Sequence, residues 1–147
     1  MAERLKGLLD GEMCVPQMRR LPGGETDVGL GVDLHGRRVA LVCALNHPDA
    51  NFLALLCAAR AASDLGAASV GLVAPGLAQA RDGTGEEVSS KLFTALLSPQ
   101  IDWLVTVDSH GIHPQQTVYD VPMRVVQASA ATDIAPLLAR AIGEVMV

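Results

Sequence analysis

Residues 38–74, RVALVCALNHPDANFLALLCAARAASDLGAASVGLVA, decide the fold class. The stretch opens on an apolar, partly β-branched run, Arg38–Leu45, with the continuous hydrophobicity of a central parallel strand buried on both faces. From Pro48 to Leu65 the apolar residues recur at helical spacing, with Phe52, Leu55, Leu56, Ala59 and Ala62 on one stripe. Pro48 suits a first helical turn, because its missing N–H has no intrahelical partner there, and Gly66 suits the C-terminal cap. A second β-branched run, Ser69–Ala74, closes the unit. Strand, helix and strand within this length predict a βαβ crossover and hence a parallel sheet.

Working outward, the pattern continues. After the Gly-rich stretch Pro75–Gly85, a helix is expected from about Glu86 to Leu97, with Val88, Leu92, Phe93 and Leu96 facing inward. A third strand is expected over Ile101–Val107 and a short fourth over Arg124–Gln127. A closing helix is expected over Thr132–Val147, with Asp133 placed where a negative charge favours a helix N-terminus. Before residue 38 the text changes. MAERLKGLLDGE reads as an amphipathic helix with charges of both signs, not a signal peptide. MRRLPGGETDVGL (18–30) reads as two short strands joined at Pro22-Gly23-Gly24, a β-hairpin flap beside the sheet. With right-handed crossovers the whole chain, 1–147, is expected to form one three-layer α/β/α domain with a mainly parallel sheet.

Composition narrows the function classes. Half of the 147 residues are apolar but only 3% are aromatic, so Ala, Val and Leu must fill the core. Asp and Glu number 16 against 11 Lys and Arg, for a net charge of −5, which argues against a surface built to hold a nucleic-acid backbone. A small phosphorylated ligand needs only one or two local donors. The longest uncharged stretch, Leu65–Ala80, contains three glycines and Pro75 and is too short to span a bilayer. Cys14, Cys43 and Cys57 match no metal-binding spacing; Cys43 and Cys57 sit in apolar runs, as buried free thiols of a cytoplasmic protein would.

In an open parallel sheet, ligands bind beyond the carboxyl ends of the strands. Three loops satisfy that condition: Asn46-His47-Pro48-Asp49, Pro75–Gly85 and Asp108-Ser109-His110-Gly111-Ile112-His113. Asp108 and His110 are two apart, so in extended backbone they point the same way and could together hold a divalent metal or orient a phosphate. The alternative is that Asp108 caps a turn and His110 and His113 are ordinary loop histidines. Arg81, among glycines just before Glu86-Glu87, could grip a phosphate or be merely solvated. Walker-A, nucleophile-elbow, H-E-x-x-H, C-x-x-C and Rossmann patterns are absent.

These segments carry a resemblance. RRLPGGET (19–26) resembles the R-R-F-P-D-G-E-T hairpin of ribose-phosphate pyrophosphokinases, the ATP-dependent enzymes that make phosphoribosyl pyrophosphate. Residues 40–75 resemble that family's strand–helix–strand with its P-x-D-N-L-M-E-L-L motif. EEVSSKLFTALL (86–97) matches the helix after its ATP-binding loop, LVTVDSH (104–110) its L-T-V-D-L-H, and PMRVVQAS (122–129) the strand that follows. The likeness covers essentially the whole chain and implies a phosphoribosyltransferase-like fold matching the N-terminal half of such an enzyme. It implies that His110 is a ligand of the Mg²⁺ on the ATP phosphates and that Asp108 orients that site. Arg81 matches a loop arginine that contacts ATP, and Glu25 a hairpin glutamate that reaches adenine in a neighbouring subunit. A homo-oligomer is implied as well.

The departures bear on activity. Leu21 and Gly23 stand where the family has phenylalanine and aspartate, and the loop Ala80-Arg81-Asp82-Gly83 is shorter and lacks the family's glutamine. The family's first strand is missing, and so is the D-D-x-x-D-T-G-G-T loop for ribose 5-phosphate in its second half. Two expectations follow. The chain supplies the ATP/Mg²⁺ side of diphosphoryl transfer to ribose 5-phosphate and is inactive alone, or it is a non-catalytic, regulatory subunit of the same family.

Overall fold

A computed structural model describes residues 1–45, 48–75, 92–93, 95–107, 124–128 and 134–145. Helix α1, Ala2–Leu9, ends at Asp10, whose left-handed conformation (φ 50°) turns its N–H back to the Lys6 carbonyl. Strands β1 (Gln17–Arg20) and β2 (Thr26–Gly29) pair antiparallel from Gln17↔Gly29 to Arg20↔Thr26. The hairpin turns where the Pro-Gly-Gly sequence predicts. Gly24 takes φ 90° and its N–H donates to the Leu21 carbonyl at 2.8 Å, while the Leu21 N–H donates to Glu25 O at 2.9 Å.

Among the described residues the main sheet has four parallel strands in the order β3 (Arg38–Val42), β4 (Ser69–Ala74), β5 (Trp103–Val107), β6 (Arg124–Ala128). Helix α2, Pro48–Asp64, crosses from β3 to β4. Its predicted stripe is the one that packs: Leu55, Ala59 and Ala62 are buried, and Phe52 and Leu56 lie against the same core. Gly66 follows it at φ 80°, a conformation that a side chain would strain. Residues 92–93 and 95–97 are helical and lead into a 3₁₀ turn, Ser98–Gln100. The last helix, α3 (Ile134–Val145), and α1 cover the opposite face.

The three-layer α/β/α architecture is therefore the one the alternating pattern implies. One core, between α2 and the sheet, joins Leu72, Leu104 and Leu97. The second joins Leu5 of α1 to Val73, Trp103, Val105, Leu138 and Ile142. Each such side chain contributes about 1.5–3 kcal/mol on burial, so small aliphatics suffice without many aromatics.

Three expectations are corrected. The β3 run is not a central strand among the described residues: it pairs with β4 alone among them, and its residues alternate between exposed and half-buried. Val39 and Leu41 pack on the α2 core, but no β3 residue belongs to the second core, and Val42 is 38% exposed. Before β5, Phe93 and Leu97 face inward, whereas Leu92 and Leu96 are exposed. The inward stripe is the 93/97 pair because Phe93 stacks on Phe52 of α2, with ring centroids 4.3 Å apart. Finally, Cys43 and Cys57 are only half-buried, and Cys14 is exposed; all three are free thiols. Val88 and Asp133 lie outside the described residues.

Candidate functional site at the carboxyl rim of the sheet

Parallel pairing puts all four strand ends on one rim. Val42 pairs with Val73, Ala74 with Thr106, and Val107 with Ala128. The loops singled out by sequence start there: after β3, after β4 and after β5. Arg81, Asp108 and His110 lie outside the described residues, as does His113. In the chain, Asp108 directly follows Val107, the last residue of β5.

The rim carries a residue that pattern reading overlooked. Thr106 is fully buried, and its hydroxyl has no hydrogen-bond partner among the described residues. An unpaired hydroxyl in such a place costs about 1–3 kcal/mol relative to a paired one, so it marks a polar demand at the mouth of the rim. The signal was present in the text, since Thr106, Asp108 and His110 share one parity and strand side chains alternate.

Cys43 stands at the carboxyl end of β3, where its N–H donates to Val73 O at 3.0 Å and its thiol faces the Ala44 carbonyl at 3.8 Å. Burial pushes the Cys43 thiol up from its ordinary value, which keeps it protonated at neutral pH and makes it a poor nucleophile. Thiolate chemistry at this rim residue is thereby disfavoured. Among the described residues, no group of three or more His, Cys, Asp or Glu side chains is arranged to hold a metal ion. No helix among them is long and apolar enough to cross a membrane.

Glu25 sits on a different element, exposed in the hairpin turn. Its carboxylate folds over its own loop: a Cβ added at Gly23 would meet Glu25 Oε2 at 2.6 Å and Oε1 at 2.9 Å. The glycine at 23 and the folded glutamate are thus one arrangement, since any side chain at 23 would press the carboxylate aside.

No family model matches the chain. Two curated proteins do. It is 31% identical over 122 residues to the ribose-phosphate pyrophosphokinase of Thermoplasma acidophilum, covering 80% of this chain and 41% of that protein. It is 30% identical over 114 residues to the ribose-phosphate pyrophosphokinase of Thermoplasma volcanium, covering 75% and 40%. The chain thus spans about two fifths of the length of the curated relatives it matches. Among solved structures, the phosphoribosylpyrophosphate synthetase from Mycobacterium smegmatis superposes on 97% of this chain and 48% of its own. The TM-score is 0.74 at 23% identity, a likeness of fold.

Proposed function

Because the chain belongs to the ribose-phosphate pyrophosphokinase family, we propose that it provides the ATP- and Mg²⁺-binding side of diphosphoryl transfer from ATP to ribose 5-phosphate. In this reading it is the N-terminal domain of such an enzyme, and the ribose-5-phosphate side comes from elsewhere. The observation that carries it is the place of Thr106 and Val107, which end a buried parallel strand at the rim where such sheets bind ligands; Asp108 and His110 of TVDSH come next in the sequence.

In this reading His110 would be a ligand of the Mg²⁺, Asp108 would orient that site, and Arg81 would pair with phosphate. Thr106 brings the polar demand already noted at the same rim. Bound there, Mg²⁺ supplies neutralisation of charge on the phosphates. The protein's own contribution is to hold the triphosphate in line and to keep water away, which is most of what phosphoryl-group transfer requires. In the whole reaction the C1 oxygen of ribose 5-phosphate bonds to the β-phosphorus, the bond from that phosphorus to the α,β-bridging oxygen breaks, and AMP leaves. A chain without the sugar-phosphate side does not complete this alone. A cytoplasmic homo-oligomer, with no nucleic-acid or membrane partner, accords with the charge balance and the family.

Calorimetric titration of Mg²⁺·ATP into the wild-type chain and His110→Ala tests the reading. Binding that His110→Ala weakens by about tenfold or more supports it; no difference between the two rejects it. Product formation by the purified chain from ATP and ribose 5-phosphate would contradict the claim that it is inactive alone.

A second reading is a non-catalytic, regulatory subunit of the same family. It is favoured by the hairpin, where Glu25 is folded onto Gly23 instead of reaching outward and Leu21 replaces an aromatic face. Equal, weak Mg²⁺·ATP binding by the wild type and His110→Ala would select this reading over the first.

A further inference from the structure

The two faces of the main sheet end differently at the carboxyl rim. On the face covered by α1 and α3, the row nearest the rim that crosses all four described strands is Val42, Val73, Val105 and Val126, paired in register. Val73 and Val105 belong to the second core, and Val126 packs against it. On the face covered by α2, the row Leu41, Leu72, Leu104 and Val125 is just as apolar, and all four take part in the first core.

One step nearer the rim on the α2 face, the row changes character. Ala74, Thr106 and Gln127 are partners in register there. Cys43 continues the row on β3, since its N–H donates to Val73 O as the parallel ladder requires, and it packs against the α2 core. Alternation along the strand assigns the side: Thr106 lies two residues from Leu104 of the α2 core, and between Val105 and Val107 of the other core.

Between these two rows Leu72 gives way to Ala74, and Leu104 to Thr106, so bulk is withdrawn and a polar atom is introduced. A sheet covered on both faces calls for apolar residues on each. The valine row conforms; the row opposite does not. The Thr106 hydroxyl is fully buried and has no hydrogen-bond partner among the described residues. Leaving such a group unpaired is unfavourable, and its presence on one face gives the rim a polar side.

We infer that the ligand bound at the carboxyl rim sits on the α2 face of the sheet, beyond the row Cys43, Ala74 and Thr106, with the Thr106 hydroxyl as the polar group beneath it. This rests on the nucleotide reading above, which assigns the ligand to the rim and leaves its side open. In the sequence, Asp108 and His110 keep the parity of Thr106, which is the parity of this face.

The test uses the wild-type chain with isotope-labelled Ala, Thr and Val methyl groups, followed by nuclear magnetic resonance while Mn²⁺·ATP is added in place of Mg²⁺·ATP. The unpaired electrons of Mn²⁺ broaden nearby signals, an effect that falls steeply with distance, and Mn²⁺ without nucleotide gives the baseline. The methyl signals of Ala74 and Thr106 are expected to be lost first, while those of Val105 and Val107, on either side of Thr106 in the chain, persist. Loss of Val105 and Val107 ahead of Thr106, or of all four signals together, overturns the inference and leaves the nucleotide reading standing. If Mn²⁺·ATP removes none of the four beyond the baseline, the nucleotide reading itself fails and the inference falls with it.

Discussion

The indole of Trp103 lies face-on against the α-carbon of Gly71, its direct partner across the β4–β5 ladder. Three ring atoms, Cδ2, Cε2 and Cζ2, occupy the space where a β-carbon on residue 71 would have to be. The ring cannot readily yield. Its Nε1–H donates to Ser69 Oγ at 3.2 Å, and it is almost fully buried among Val73, Val105 and Leu138. The single tryptophan of the chain is therefore accommodated by a glycine in a strand whose neighbouring residues, Val70, Leu72, Val73 and Ala74, are aliphatic.

Gly71→Ala should accordingly destabilise the fold by about 1–3 kcal/mol or more, the usual range for overpacking a core. Urea unfolding followed by far-ultraviolet circular dichroism, a signal that does not depend on the indole, measures it. Coupling should be visible in a double-mutant cycle: with Trp103→Leu in place, Gly71→Ala should cost markedly less. An additive pair would disprove the steric account.

The hairpin glycines separate two causes of glycine preference. Gly24 has open space around it but φ 90°, so Gly24→Ala should cost about 1 kcal/mol through backbone strain. At Gly23 the obstacle is only the flexible end of Glu25, which can swing into solvent. Gly23→Ala should therefore change stability by less than about 0.5 kcal/mol, as for an ordinary surface substitution. Equal losses at the two positions, measured by thermal unfolding, would refute this separation.

The layers, the parallel sheet and the hairpin were legible because each rests on a local signal: apolar runs, the α2 stripe, Gly66 after a helix, Pro-Gly-Gly in a turn. What failed was not local. Whether β3 is central or marginal depends on which strands and helices come to lie beside it, and a run such as VALV has the same composition in either place. The 92/96 and 93/97 stripes are one residue apart in a segment where both are apolar, and only the partner ring of Phe52 distinguishes them. At the rim, Thr106 was passed over because a threonine inside a strand is ordinary; its burial without a partner is a property of the folded core.

The half-buried Cys43 thiol gives a pH dependence with a definite sign. Burial raises its pKa in the folded state, so at alkaline pH the native chain holds a proton that the unfolded chain has released. The associated stability is fully present below the ordinary thiol range and is lost as pH rises through the raised value. The stability difference between the wild type and Cys43→Val should stay constant from about pH 6 to pH 8 and then move against the wild type toward about pH 10. A difference that is flat across the whole range would show that the thiol titrates alike in both states. Thiol labelling at pH 8 should in parallel modify exposed Cys14 before Cys43.

Thr106→Val replaces a hydroxyl by a methyl of nearly the same shape at a fully buried position between Ala74 and Gln127 of the neighbouring strands. If the hydroxyl has no partner in the chain by itself, removing it ends a desolvation cost and should stabilise the fold by about 1–2 kcal/mol in urea titrations. The same change should weaken Mg²⁺·ATP binding, because a buried hydroxyl near the strand end would then be paired only in the complex. Thr106→Ser keeps the hydroxyl and should retain binding while losing some stability from the missing methyl. The two readouts move in opposite directions for valine, which a purely structural threonine would not produce. Destabilisation by Thr106→Val would mean that the hydroxyl is already satisfied in the folded chain, and unchanged Mg²⁺·ATP affinity would remove Thr106 from the rim's polar machinery.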